Sequence, residues 1–133
     1  MKDYVINVLL ATLAILSPIK PLLISCGFLI VGDMITGVWA AKKRGEKINS
    51  ASMRRTVSKF VIYQLAIISG FALETYMLDS FIPVSKLVGS VIGMVEFKSL
   101  LENSSAIVGQ DIIKMILEKL GSKNDKAVSN DKQ

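Results

Sequence analysis

The sequence predicts an all-α membrane protein with three to four transmembrane helices and a C-terminal amphipathic helix. Three observations lead to this prediction. First, 51% of the 133 residues are hydrophobic, more than so small a domain can bury, because small domains have a large surface for their volume. Second, the apolar residues occur in blocks separated by short polar segments, as a bilayer requires. Third, the positive charge is concentrated beside these blocks, where membrane proteins carry the residues that set their orientation.

The first two apolar blocks predict helices over residues 4–17 and 22–41. The first block has about fourteen residues, which is short for a spanning helix, and it is followed by Pro18 and Pro21, which favour a turn. It is interpreted as a first, short membrane helix that stays attached. A signal peptide is the competing interpretation, but the block lacks the charged start and the cleavage site of one. The second block has about twenty residues, or roughly 30 Å of helix. Whether the first block crosses decides between three and four spans.

Small residues of the second block share one helix face. Ser25, Gly32, Thr36 and Ala40 follow a spacing of seven, four and four, which lets another helix approach closely. Asp33 lies beside this face. A carboxylate inside a membrane helix is costly unless it is protonated, paired or in contact with water, so Asp33 is predicted to mark an interior or functional position.

The segment 42–59 carries seven of the sixteen basic residues. It is predicted to be a cytoplasmic linker that leads into a third helix over residues 55–78, with Arg54, Arg55 and Lys59 as anchors at the membrane border. Anionic lipid headgroups are the first partner expected for this charge. Nucleic acid is not expected, because no recognition motif accompanies the basic residues.

The third and fourth blocks repeat the combination of small residues and carboxylates. In the third, Gly70 lies one turn before Glu74 on the same face. The fourth, predicted as a helix over residues 81–101, is more polar but contains Gly89 and Gly93 in a GxxxG helix-contact motif. Both blocks are therefore expected to pack closely against other helices.

The chain changes character after the membrane domain, which we place at residues 1–103. Residues 104–120 predict a short amphipathic helix, because the apolar residues from Ile112 to Leu120 are partly one-sided. Residues 121–133 are charged and predicted to be disordered. With a cytoplasmic basic linker the C-terminus is cytoplasmic, and the N-terminus is cytoplasmic with four spans or outside with three.

No enzyme, cofactor or metal site is predicted. The sequence has no histidine and one cysteine, Cys26, which leaves almost no ligands for zinc or haem. It has no Ser/His/Asp set and no phosphate-binding glycine loop. The candidate residues are instead polar groups expected to line a water-filled space in an oligomer, unless they simply pair with neighbours and fix helix packing, and small residues at helix contacts. The polar candidates are Asp33, Glu74 and Glu96. The helix-packing candidates are Gly32, Thr36, Gly37, Gly70, Gly89 and Gly93.

Two motifs in this order resemble the phage-lysis and toxin-secretion holin family. The first is Asp33-x-x-Thr36-Gly37, followed by the basic linker and by Arg55 and Lys59 at the start of the next span. The second is Glu96-x-x-Ser99-x-x-Glu102-Asn103. The resemblance covers roughly residues 22–120.

The resemblance implies a small protein that accumulates in the bacterial inner membrane, forms homo-oligomers and opens a lesion or pore for endolysin or another cargo, leading to host cell lysis or toxin secretion. Two other interpretations are compatible with the same helices. One is a structural or channel subunit of a larger phage or secretion assembly, and the other is a holin regulator that binds the same partners without permeabilising the membrane.

Overall fold

The structure, a computed structural model, describes residues 1–48 and 50–130. Within this part of the chain it contains no β-strand, which confirms the predicted all-α class. A 3₁₀ turn, Ser17–Ile19, joins the first two of five α-helices. The helices are α1 (Lys2–Ile15), α2 (Lys20–Lys43), α3 (Ser50–Tyr76), α4 (Val84–Val108) and α5 (Ile112–Asn130).

Among the described residues, two segments are long and apolar enough to cross a bilayer, Ser17–Lys43 and Met53–Tyr76. In the 18-residue apolar stretch of each segment, only 11% of the first and 17% of the second is buried inside the chain. The core helices of soluble proteins pass the same length test, but they are mostly buried. These two helices instead expose most of their apolar side chains, as lipid-facing helices do.

The helix bounds differ from the predicted ones where turn chemistry decides. Pro83, which cannot donate a backbone hydrogen bond, lies at the N-cap of α4, so this helix begins at residue 84 and not at 81. Asp79 and Ser80 before it have left-handed backbone, with φ of 46° and 58°. Disorder was expected from residue 121, whereas α5 extends to Asn130; residues 131–133 lie outside the described part.

α2, α3 and α4 form a bundle in which α4 packs against both other helices. α2 and α4 are parallel, because Leu22 of α2 lies beside Gly89, and Gly32 lies beside Leu100 further along both helices. α3 is antiparallel to α4, since its start contacts the middle of α4 and its end contacts the first turn of α4. The buried core of the bundle is formed by Ile19, Cys26, Ile67, Phe71 and Ile92.

Glycines permit the closest helix contacts in the bundle. A Cβ atom on Gly70 would lie 3.2 Å from both the N and the Cα atom of Ser85, and one on Gly89 would lie 2.7 Å from Cδ1 of Leu22. At Gly93 the nearest atom, Cδ1 of a leucine, would be 3.7 Å away, an ordinary contact. The close contact between α3 and α4 therefore requires a glycine at position 70, whereas position 93 has room for a methyl group.

α1 contributes little to this bundle. It packs on the Ser17–Ile19 turn, and none of its residues is buried. The whole chain exposes 10234 Å², compared with about 6,900 Å² expected for a compact monomer of this mass. Many large apolar side chains of α1, α2 and α3 are exposed, and such a surface requires lipid or other subunits as its surroundings.

Adding one methyl group at Gly70 tests the α3–α4 crossing. We expect Gly70→Ala to lower the free energy of unfolding by about 1–3 kcal/mol, because backbone atoms of Ser85 cannot move aside as a side chain could. Gly93→Ala is the matched control, with stability unchanged or slightly raised, since alanine favours the helix. Unfolding of both variants in detergent, followed by circular dichroism, measures this. Equal stability of the two variants would contradict the proposed close contact.

Candidate functional site

The centre of the candidate site is an ion pair between α3 and α4. Lys59 of α3 points into the bundle, and its Nζ atom lies 2.9 Å from Oε1 and 3.0 Å from Oε2 of Glu96 on α4, donating a hydrogen bond to Oε2. Glu96 is completely buried, whereas the Lys59 side chain is 32% exposed. The cation therefore connects a carboxylate in the bundle interior with the bundle surface.

α2 joins the same network through Asp33. Its Oδ2 atom lies 3.7 Å from Nζ of Lys59. Its Oδ1 atom accepts a 2.9 Å hydrogen bond from Nδ2 of Asn103 on α4, which also lies 3.4 Å from the backbone oxygen of Asp33. We call Asp33, Lys59, Glu96 and Asn103 the charge network. It connects all three helices of the bundle.

Helix periodicity brings these side chains together. Glu96 and Asn103 are seven residues apart, two turns of α4, and so share one face. On α2, Gly37 lies one turn beyond Asp33, and a Cβ atom there would approach Nδ2 of Asn103 to 3.3 Å. The Thr36 hydroxyl donates hydrogen bonds within its own helix, to the backbone oxygens of Gly32 at 2.9 Å and Asp33 at 3.1 Å. The two motifs singled out in the sequence therefore converge on one place.

The charge network contains two carboxylates and one ammonium group. Buried ions are stable only when they are paired and hydrogen-bonded, because transfer out of water costs several kcal/mol per ion. Glu96, the more buried acid, takes the close contact with Lys59. Asp33, nearer the surface, takes a neutral amide donor and a longer approach to the same cation. The network can thus hold charge inside an apolar bundle without exposing it to lipid.

Glu74 lies elsewhere, where the end of α3 meets the start of α4. Its Oε2 atom accepts hydrogen bonds from the backbone N–H of Ser85 at 2.8 Å and from the Ser85 hydroxyl at 2.9 Å. The first backbone N–H groups of a helix have no partner within the helix, and a carboxylate there also complements the helix dipole. Glu74 therefore caps α4.

A cavity of about 460 Å³ opens beside the charge network, between the end of α2, the following linker and the start of α3. Within it, Arg44 Nε donates a 2.7 Å hydrogen bond to Oε1 of Glu46, and this guanidinium lowers the pKa of the Glu46 carboxyl below its usual range. We call it the cationic cavity because it contains four basic side chains, Arg44, Lys47, Arg55 and Lys59.

The structure separates the site residues that the sequence grouped together. It unites Asp33 and Glu96 but not Glu74, and it leaves Arg54 and Arg55 exposed while Lys59 turns inward. Asn103 belongs to the second motif but was not predicted to be a site residue. Its spacing of seven residues from Glu96 indicates that the two side chains share one helix face. Pore lining, membrane anchoring and contacts between subunits remain predictions for these residues. Among the described residues, no group of three His, Cys, Asp or Glu side chains is placed to hold a metal ion.

Replacing Lys59 by methionine leaves Glu96 buried without a cation. We expect Lys59→Met to lower the free energy of unfolding by about 3 kcal/mol or more, because removal of one partner of a buried pair leaves an uncompensated charge. Unfolding of the purified variant in detergent measures this loss.

Lys98→Met provides the matched control. Lys98 pairs with Glu102 at 2.7 Å, but the two side chains are 70% and 54% exposed. We expect a change below about 0.5 kcal/mol, as is usual for exposed pairs on one helix. Equal losses in the two lysine variants would contradict a special role for the buried pair.

Comparison with known proteins agrees with the resemblance in the sequence. The profile described as the bacteriophage holin family matches residues 8–123, most of the chain. No curated protein and no solved structure gives a significant match. The matched region contains both motifs, the charge network and the two helices that are long and apolar enough to cross a bilayer. The chain is therefore a membrane protein that belongs to the bacteriophage holin family.

Proposed function

We propose that this chain is a phage holin that accumulates in the bacterial inner membrane, self-associates and opens a lesion through which endolysin or another cargo passes. One observation carries the proposal. The two motifs of the family resemblance meet in a charge network between the helices of a bundle with an apolar outer surface, and Glu96 of this network is completely buried. Such a subunit suits a lipid environment while it is closed and contains the polar groups that a water-filled opening needs.

The arrangement of the bundle supports a proposal of three membrane spans. α4 runs parallel to α2 and antiparallel to α3, and it extends from the Gly70 level at one end to the Asp33 level at the other. If α2 and α3 cross the bilayer, α4 therefore crosses with them. The 25 residues of α4 give about 37 Å of helix, which is long enough for the hydrocarbon core.

The charges of α4 are compatible with this placement. Glu96 pairs inside the bundle with Lys59. Lys98 and Glu102 pair with one another toward the end that leads to α5. Lys86 lies one turn from the other end, where a long side chain can reach the membrane interface. Average hydropathy counts Glu96 against a span here, although its charge is paired inside the bundle.

α1 is proposed to lie outside the three-span bundle. Its 14 residues give about 21 Å of helix, less than the roughly 30 Å of a hydrocarbon core. The basic segment 42–59 favours a cytoplasmic location for the linker after α2. The N-terminus then lies on the outer face, and α5 lies on the cytoplasmic side.

Opening of the lesion is proposed to require many subunits together. One bundle has no room for a protein to pass, and separating Lys59 from Glu96 in a single subunit would leave charges facing lipid. In an assembly the separated charges can instead face a shared water-filled space, where hydration replaces the lost ion pair. The cost of separating the ion pair is then offset only after enough subunits have accumulated. We therefore expect the lesion to form suddenly.

Cysteine labelling tests the topology. The background variant is Cys26→Ser, and an impermeant thiol reagent is applied to spheroplasts before any leakage begins. We expect Ser80→Cys, in the α3–α4 turn, and Asp3→Cys to react from outside. Glu46→Cys, in the linker, should react only after permeabilisation. Protection of Asp3→Cys alone would show that α1 crosses and would contradict the three-span proposal.

Inducible expression of the chain alone in a bacterium tests the holin function. We expect a sudden loss of membrane potential with release of a cytoplasmic reporter protein, after a period of harmless accumulation. Membrane insertion without permeabilisation would contradict the proposal and favour a subunit of a larger assembly or a holin regulator.

Asp33→Asn in the same assay tests the role of the charge network. The substitution removes one carboxylate from a network with excess negative charge and from any hydrated lining, so we expect release to be delayed or lost at equal membrane levels. Asp79→Asn, in the exposed α3–α4 turn, makes the same chemical change away from the network. It should leave the onset of release unchanged. Unchanged oligomerisation and release in Asp33→Asn would contradict a polar-lining role for Asp33.

A further inference from the structure

The cationic cavity contains more basic side chains than the charge network and Glu46 neutralise. Of its four basic side chains, Arg44 pairs with Glu46 and Lys59 pairs with Glu96. Lys47 and Arg55 make no ion pair with any residue in the described part of the chain, and both are exposed. The Asp33 carboxylate also faces the cavity, but its oxygens are engaged by Asn103 and Lys59. The cavity therefore offers two cations to an external anion.

Besides its charged residues, the cavity is lined by polar residues, Thr56 and Asn103, and has an apolar side. The apolar side is formed by Met34, Val38 and Ala41 of α2, Ile48 of the linker and Met53 of α3. Aliphatic side chains of this kind offer nothing to a small hydrated anion. They suit a ligand that combines an anionic group with hydrocarbon.

We propose that the cationic cavity binds the phosphate of an anionic phospholipid from the inner leaflet, such as phosphatidylglycerol. Lys47 and Arg55 contact the phosphodiester, and the acyl chains leave along the apolar side of the cavity. Basic pockets between helices on the cytoplasmic side are a known means of binding lipid headgroups, and the guanidinium of Arg55 can contact two phosphate oxygens at once. This assignment rests on the cytoplasmic placement of the linker proposed above.

The position of the cavity favours a lipid over a soluble phosphate. It lies where two apolar helices end and a basic linker begins, which is the level of lipid phosphates for a bilayer-spanning bundle. Arg54 and Arg55 also put positive charge near the N-terminus of α3, where it opposes the helix dipole. A phosphate held between linker and helix would neutralise part of that charge.

Lipid binding to the full-length protein tests the assignment without any measurement of lysis. The purified chain in detergent is titrated with phosphatidylglycerol or phosphatidylcholine, and retained lipid is counted by native mass spectrometry. We expect tighter binding of phosphatidylglycerol. Lys47→Gln/Arg55→Gln should weaken it about tenfold or more, because two charge-assisted contacts to the phosphodiester are lost. Lys47→Arg alone should retain binding, because it keeps the positive charge and leaves the Arg55 guanidinium in place.

Lys42→Gln/Arg54→Gln is the matched control. It removes the same charge at the same end of the bundle, but neither residue lines the cavity. We expect binding within about twofold of the original chain, because only general surface attraction is reduced. Equal loss in both neutralised variants, or no preference for phosphatidylglycerol in the unmodified chain, would overturn the assignment.

A competition experiment separates the two sources of phosphate. Inorganic phosphate and glycerol phosphate are added in excess to the lipid-loaded protein. Retention of phosphatidylglycerol supports a lipid site, whereas displacement by either soluble anion would overturn it in favour of a soluble phosphate ligand. All variants have exposed side chains substituted, and circular dichroism checks that their helix content is unchanged. A chain that binds phosphatidylglycerol but does not permeabilise cells would retain this inference and lose only the proposed holin function.

Discussion

The buried ion pair between Lys59 and Glu96 is the interaction on which the arrangement of the bundle depends. Glu96 has no exposed surface, and a carboxylate in such surroundings stays charged only with a cation at hydrogen-bonding distance. That requirement sets the register of α3 against α4, since sliding either helix by one turn, about 5.4 Å, would separate the two groups. Asp33 and Asn103 then set the position of α2 against α4 in the same way.

The direction of a charged side chain matters more than its presence in a helix. Hydropathy averages count Glu96 and Asp33 against a membrane position, although both are engaged inside the bundle. For α1, composition alone would favour a membrane span, but its 14 residues are fewer than a spanning helix needs. Length, composition and the packing partners of each helix are therefore needed together to place it relative to a membrane.

The sequence identified the unusual carboxylates but not their partners. Asp33 and Glu96 could be selected because each interrupts an apolar run at a cost. Lys59 is predicted to be an anchor at the membrane border, in the first turns of the third helix. α3 begins at Ser50, so Lys59 lies about 13 Å along its axis. Its pairing with Glu96, 37 residues later, depends on how two antiparallel helices meet, which neither periodicity nor composition specifies.

The two ends of the bundle resist separation for different physical reasons. At the end where Glu74 caps α4, Ile67 and Phe71 form part of the apolar core, and water that entered there would meet mainly hydrocarbon. At the other end, water that reached the charge network would hydrate Lys59 and both carboxylates, recovering solvation that burial had removed. Because entering water offsets part of the cost of separation only where it hydrates ions, we expect the helices to separate more easily at the charge network than at the apolar core.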